Sequence, residues 1–197
     1  HTWQGRLVAM AAIVTGFFIY TNLVAIIAES VHGYLDRRMK GKVQVTARNH
    51  IVICEYTAIA DELIHSLPDS RELAGKAVVI VTDLVSENPY PVHEFVYGVP
   101  INPMALKLAN IEHASHVFVF ANLRFADPDV KTLHVASRVL RLNPKAAVFV
   151  EMIDPTSDLL RAISGAVKTM NSREVLANVL GGNKIDIDGL LSSQQKS

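Results

Sequence analysis

Cysteine is nearly absent: Cys54 is the single one in 197 residues, which excludes a disulfide framework and any multi-cysteine zinc site. An unpaired thiol fits a reducing compartment. Neither sign of charge prevails, with 19 basic and 19 acidic side chains, so no global attraction to nucleic acid arises and no nucleic-acid partner is expected. Charged residues make up only 19% against 50% apolar, a balance that excludes intrinsic disorder and collagen. The eight histidines show no HExxH and no Cys/His cluster, so zinc chemistry is not expected. No GxSxG nucleophile elbow occurs, and nothing in the chain requires catalysis. Internal repeats and low-complexity segments are missing as well.

What is present begins with hydrophobicity held in one place. Mean hydropathy is +0.25, and from Leu7 to Ala28 there are 22 residues without a charge. As a helix that run is about 33 Å long, enough for the roughly 30 Å hydrocarbon core of a bilayer. Thr15, Tyr20, Thr21 and Asn22 are its polar exceptions, able to bond the helix itself or to face a neighbour. A signal peptide would need a more basic start and a shorter core, whereas only Arg6 precedes the run. Arg37, Arg38, Lys40 and Lys42 follow it, which predicts a membrane span with its C-terminal side in the cytoplasm.

The rest alternates between strand and helix signals. His50 to Glu55 is a short β-branched run of the kind buried on both sheet faces, and Lys76 to Thr82 repeats it. Helical spacing between them covers Thr57 to Leu67, stopped by Pro68. A short strand at Phe95 to Tyr97, a helix from Pro103 to Asn110 and a strand from His116 to Asn122 come next. A loop then leads to a helix from Val130 to Leu142, a strand from Ala146 to Ile153 and a helix from Thr156 to Ser164. Residues 171–197 read as one helix, Ser172 to Leu180, a Gly181-Gly182 break and a polar tail. This alternation predicts parallel crossovers, hence an α/β, Rossmann-like, doubly wound parallel sheet preceded by one transmembrane helix.

Several segments resemble, in order, the potassium channels with a cytosolic RCK domain (regulator of potassium conductance). TWQGR at Thr2–Arg6, with Gly16 ten residues after Arg6, is similar to the start of a pore-lining inner helix. RNHIVIC at Arg48–Cys54 resembles the family's first strand, and VYGVP at Val96–Pro100 its third. LKLANIEHASHVFVFA at Leu106–Ala121 and LRLNPKAAVFVEMIDP at Leu140–Pro155 resemble the passages to its fourth and fifth strands. The resemblance implies a pore-lining helix over 1–30, a basic linker over 31–49, a Rossmann-like regulatory lobe over 50–170 and a dimerisation helix with tail over 171–197. It also implies membrane lipid around the first helix, self-association as a tetramer or gating ring, and a monovalent cation as the transported ion. No Gly-Tyr-Gly filter motif occurs, so these residues are expected to be a piece of a longer subunit.

Candidate sites follow from position. Gly16, mid-helix, is a candidate gating hinge, with close helix packing as the alternative. The turn after the first strand is where a nucleotide phosphate sits in such folds, so Glu55, Tyr56 and Thr57 are candidate ligand contacts. No glycine stands there, and Glu55 brings a negative charge to the pyrophosphate position. Asp83, ending the second strand, is placed for a ribose hydroxyl or as a simple strand-end cap. For calcium, the resemblance places ligands at Phe120, Glu151 and Ile153, of which only Glu151 is acidic, so that metal site is incomplete. The bland reading of Glu151 is a salt-bridged or solvated strand end, and that of Asn122 to Asp129 a solvated loop. The expected function is a ligand-regulated potassium channel subunit, regulated by a nucleotide or a divalent cation. The alternatives are a membrane-anchored NAD-binding oxidoreductase and a non-conducting tethered sensor.

Overall fold

The computed structural model of the chain describes residues 2–154, 156 and 166–192, and divides into two compact units, His1–Arg38 and Met39–Ser197. The first is essentially one helix, α1, spanning Trp3–Met39, with no buried side chain. Apolar residues such as Ile13, Phe17 and Val24 are exposed around it. It is long and apolar enough to cross a membrane. Inside the apolar run Thr21 donates to the Phe17 carbonyl (2.8 Å) and Asn22 to the Phe18 carbonyl (2.7 Å). These bonds satisfy polar side chains within the helix, which makes them tolerable in hydrocarbon. The helix runs on past Ala28 because residues 29–39 contain no proline, and it ends just before Gly41, whose φ of 63° is the left-handed stop that glycine supplies.

The second unit is a six-stranded sheet. Its strands are β1 (His50–Cys54), β2 (Val78–Thr82), β3 (Glu94–Tyr97), β4 (Ala114–Val119), β5 (Ala147–Met152) and β6 (Lys168–Asn171). They lie in the order β3-β2-β1-β4-β5-β6, every pair parallel, as a doubly wound sheet requires. Helices α2 (Ala58–Ser66), α3 (Pro103–Leu108), α4 (Pro128–Leu142), α5 (Ser172–Leu180) and α6 (Ile187–Ser192) cover it. Alternate residues divide the core by size. Val52, Val79, Val81, Val117 and Val148 face α3 and α4, while Ile51, Ile53, Ile80, Phe118 and Phe149 face α2 and the α5–α6 region. Both faces are therefore apolar, which is why the strands read as unbroken hydrophobic runs.

Three sequence expectations change. β4 starts at Ala114 and ends at Val119, not at His116 and Asn122, because the bonds of His50 and Ile51 on the neighbouring strand extend the pairing backwards. Residues 168–171 form β6, a strand too short and polar to show a period, with Met170 buried beside Glu151. The expected polar tail contains α6, whose Ile187 packs with Ile185 into the α2-side core. Asp188 fastens that helix by accepting from the Ser70 hydroxyl (2.7 Å) and the Arg71 amide (3.1 Å). Past Thr156, the helix expected to Ser164 lies outside the described residues.

The stretch from Met39 to Asn49 is bonded along the α/β unit rather than hanging from it. Asn88 N–H donates to the Met39 carbonyl (2.9 Å), Tyr97 N–H to Gly41 (3.1 Å), and Val45 N–H to Leu108 (2.8 Å). The Asn110 side chain donates to Ala47 (2.8 Å), Asn49 N–H donates to His113 (2.8 Å), and Val45 is buried in the α3–α4 core.

Candidate functional site

Strand order reverses between β1 and β4, and a crevice must open beyond the carboxyl ends of the strands at such a point. A cavity of about 780 Å³ lies there. The β1–α2 turn contributes Tyr56, Thr57, Ile59 and Asp61, and the segment after β2 contributes Leu84 and Val85. From the β4 side come Asn122, Leu123 and Arg124, and from β5 and α5 come Glu151, Ile153, Ser172 and Leu176. Residues 123–127 are exposed, as a solvated loop requires, while Asn122 and Asp129 at its two ends are buried and Asn122, Leu123 and Arg124 line the cavity. Asp129 is held there because its carboxylate accepts from the Ile153 and Asp154 amides, both at 2.9 Å.

The structure separates the sequence candidates. Tyr56 and Thr57 line the cavity, Thr57 also capping α2 by accepting from the Ala60 amide (3.3 Å). Glu55 does not line it. Its φ of 71° occupies the left-handed position a glycine would hold, and its carboxylate turns inward to an ion pair with Lys131 and a hydrogen bond from the Thr82 hydroxyl (3.1 Å). Its charge is neutralised inside the fold and does not face the crevice. Asp83 follows β2 beside the cavity without lining it, and its Oδ1 has no hydrogen-bond partner among the described residues. Phe120 is core, and no group of three or more His, Cys, Asp or Glu side chains converges among the described residues. Gly16 lies in α1, and apart from its own helix backbone nothing among the described residues comes within 4 Å of where its Cβ would be. Cys54 is fully buried, and burial pushes its thiol up, so it stays protonated and inert.

Glu151 has no salt-bridge partner among the described residues and is not a solvated strand end. It is buried, accepts from the Ala121 amide (2.8 Å) and takes the Ser172 hydroxyl, joining the end of β4 to the start of α5. Desolvation raises its carboxyl above the usual range, against the lowering effect of those two bonds. A raised value means that the folded state holds the proton more tightly, so stability declines as pH climbs from the ordinary carboxylate value through the raised one. Glu151→Gln, which keeps an acceptor for Ala121, is expected to flatten that decline. Denaturant unfolding at several pH values checks it; an unchanged slope counts against the assignment.

Residues that the sequence did not single out complete the wall. Asp61, in the first turn of α2, accepts from the Tyr56 hydroxyl (2.6 Å) and the Tyr90 hydroxyl (2.5 Å), both at Oδ1. Burial and the Asp61 bond together push both phenols up. The partnership of Tyr56 with Tyr90 spans 34 residues and leaves no local signal. Lys131 could have been found: it falls on the buried 131-135-139 stripe of α4, where an apolar residue belongs.

No protein-family model matches the chain. It is 26% identical over 184 residues to the putative potassium channel protein YugO of Bacillus subtilis, covering 91% of this chain and 55% of that protein. It is also 26% identical over 181 residues to the calcium-gated potassium channel TvoK of Thermoplasma volcanium, covering 89% and 51%. The chain thus spans about half the length of the curated relatives it matches. Among solved structures, the GsuK channel bound to NAD superposes with a TM-score of 0.60 at 19% identity, covering 92% of this chain and 33% of that one. The GsuK RCK domain does so with a TM-score of 0.55 at 19% identity, over 76% and 32%. The chain is therefore similar to potassium channels along nine-tenths of its length, and its second unit has the Rossmann-like RCK fold.

Proposed function

We propose that the chain is the inner helix and regulatory lobe of a ligand-regulated potassium channel subunit, and not an enzyme. The observation that carries this is the Met39–Asn49 stretch. α1 runs unbroken to Met39, and from there the backbone is bonded to the segment before β3, to β3 itself and to the end of α3. A displacement of the lobe therefore reaches α1 through a short, tethered connection. A ligand in the switch-point cavity shifts the gate only by its different affinities for the closed and open assemblies. In this reading α1 sits in lipid, the lobe is cytoplasmic, lobes assemble around a common pore, and the filter lies outside residues 1–197. The basic residues after the apolar run support that orientation.

The NAD-bound GsuK structure raises a dinucleotide as the regulator. The residues here do not fit its pyrophosphate: the β1–α2 turn carries no glycine, and Asp61 holds the first turn of α2. Reconstitution of the whole subunit in liposomes tests the channel reading. Potassium flux that responds to calcium, nucleosides, nucleotides or protons is expected, and no flux despite verified insertion would falsify it in favour of a tethered sensor. Gly16→Ala tests the hinge. Alanine favours helix by about 1 kcal/mol and meets open space within this chain, so a shifted open probability is expected, and an unchanged gating curve removes the hinge.

A further inference from the structure

The switch-point cavity has the volume for a nucleoside-sized ligand, but its charges are arranged against a phosphorylated one. In folds of this kind phosphate is taken by glycine backbone and by the uncompensated positive end of the first helix. Here both are already used. The left-handed position of the turn is filled by Glu55, whose side chain is bound to Lys131. That ion pair also removes Lys131 as a phosphate partner, because its ammonium is buried between Glu55 and the ring of Phe125 (3.9 Å to the centroid). The positive end of α2 is compensated by Asp61, a carboxylate that itself lines the cavity.

Asp61 is also a built acceptor. The Tyr56 and Tyr90 hydroxyls both donate to Oδ1 and hold the carboxylate in place, and Oδ2 receives no hydrogen bond among the described residues. Most of the remaining wall is apolar, with Ile59, Leu84, Val85, Leu123 and Leu176, and Asn122 adds an amide at the buried end. Arg124 is the cation of the lining, and it sits on the exposed β4–α4 loop.

We infer that this cavity takes an uncharged, nucleoside-like ring compound whose N–H or O–H donors meet Asp61, and that it rejects the corresponding phosphates and dinucleotides. The inference rests on the regulatory reading of the lobe, but binding reports on it independently of ion conduction. A phosphate at the α2 turn meets the Asp61 charge in a partly desolvated cavity, where repulsion is weakly screened.

Equilibrium dialysis of the intact chain in detergent, with labelled adenosine, AMP, ADP and NAD as probes, tests it. Adenosine is expected to bind at least about tenfold more tightly than each of the other three. Asp61→Asn, which keeps the shape and removes the charge, is expected to narrow that gap to within about threefold. Equal or tighter binding of ADP or NAD, no adenosine binding up to millimolar concentration, or an unchanged gap in Asp61→Asn would each overturn the inference. If Asp61→Asn lowers the unfolding midpoint, the wild-type order of the four probes still decides. Absence of potassium flux in the reconstituted subunit would count against the channel reading alone.

Discussion

Gly41→Ala is expected to lower the stability of the α/β unit by about 3 kcal/mol or more, and to disconnect ligand occupancy from the pore in the whole subunit. Two causes add. The backbone at Gly41 has φ of 63°, where a Cβ costs about 1–2 kcal/mol. That Cβ would also press on the Tyr97 amide nitrogen and stand 2.9 Å from the Val96 carbonyl carbon and 2.8 Å from the Phe95 ring. The first two are β3 backbone and cannot rotate away. Relief requires the strand and the tether to part, which breaks the Tyr97-to-Gly41 hydrogen bond. Gly75→Ala supplies the comparison: its φ is 78°, but nothing lies within 4 Å of a Cβ, so strain alone applies. About 1–2 kcal/mol is expected there. Thermal unfolding followed by far-ultraviolet circular dichroism should show a fall near 10 °C for Gly41→Ala and a few degrees for Gly75→Ala. Equal shifts for the two would mean that the tether is not packed as described.

Breaking the Glu55–Lys131 pair from either side is expected to cost about 3–5 kcal/mol. Both side chains are buried, so Glu55→Gln leaves an ammonium without its counter-charge, and Lys131→Met leaves a carboxylate with the Thr82 hydroxyl. Neither remaining charge can reach bulk water to recover its solvation. The double substitution Glu55→Gln with Lys131→Met removes both charges together and is expected to recover most of the loss, since a buried pair contributes little beyond its own desolvation. Denaturant unfolding of the two single variants and the double one gives the coupling directly. If the double variant is as unstable as the sum of the singles, the two residues do not act as a pair.

Those two sites differ in how much of them could be read from the chain. A left-handed stop after a long helix is what Gly41 advertises, since glycine is the residue that takes that conformation freely. Its contact with β3 is invisible, because 56 residues separate Gly41 from Tyr97. Glu55 was legible as an acid at the phosphate position, but the direction of its side chain was not. Lys131 turned it inward from 76 residues away. Glu151 shows the same limit: its place at a strand end followed from the apolar run, whereas its bonds to Ala121 and Ser172 come from two other elements.

The sequence by itself determined the membrane-type helix and the order and type of nearly every element before residue 154. Both follow from hydrophobic period and length, which are properties of consecutive residues. It also excluded disulfides and, through the missing glycines, a standard pyrophosphate turn. Only the tertiary structure decided that β6 and α6 exist as packed pieces, since four residues of which three are polar, or six mixed ones, become ordered through their neighbours rather than through their own propensity. It likewise decided which carboxylates face the crevice: Asp61 and Glu151 line it, whereas Glu55 and Asp83 do not. All four lie near the same strand ends, but Lys131 pairs with Glu55 from 76 residues away, and the Tyr90 and Ser172 hydroxyls reach Asp61 and Glu151 from 29 and 21 residues away.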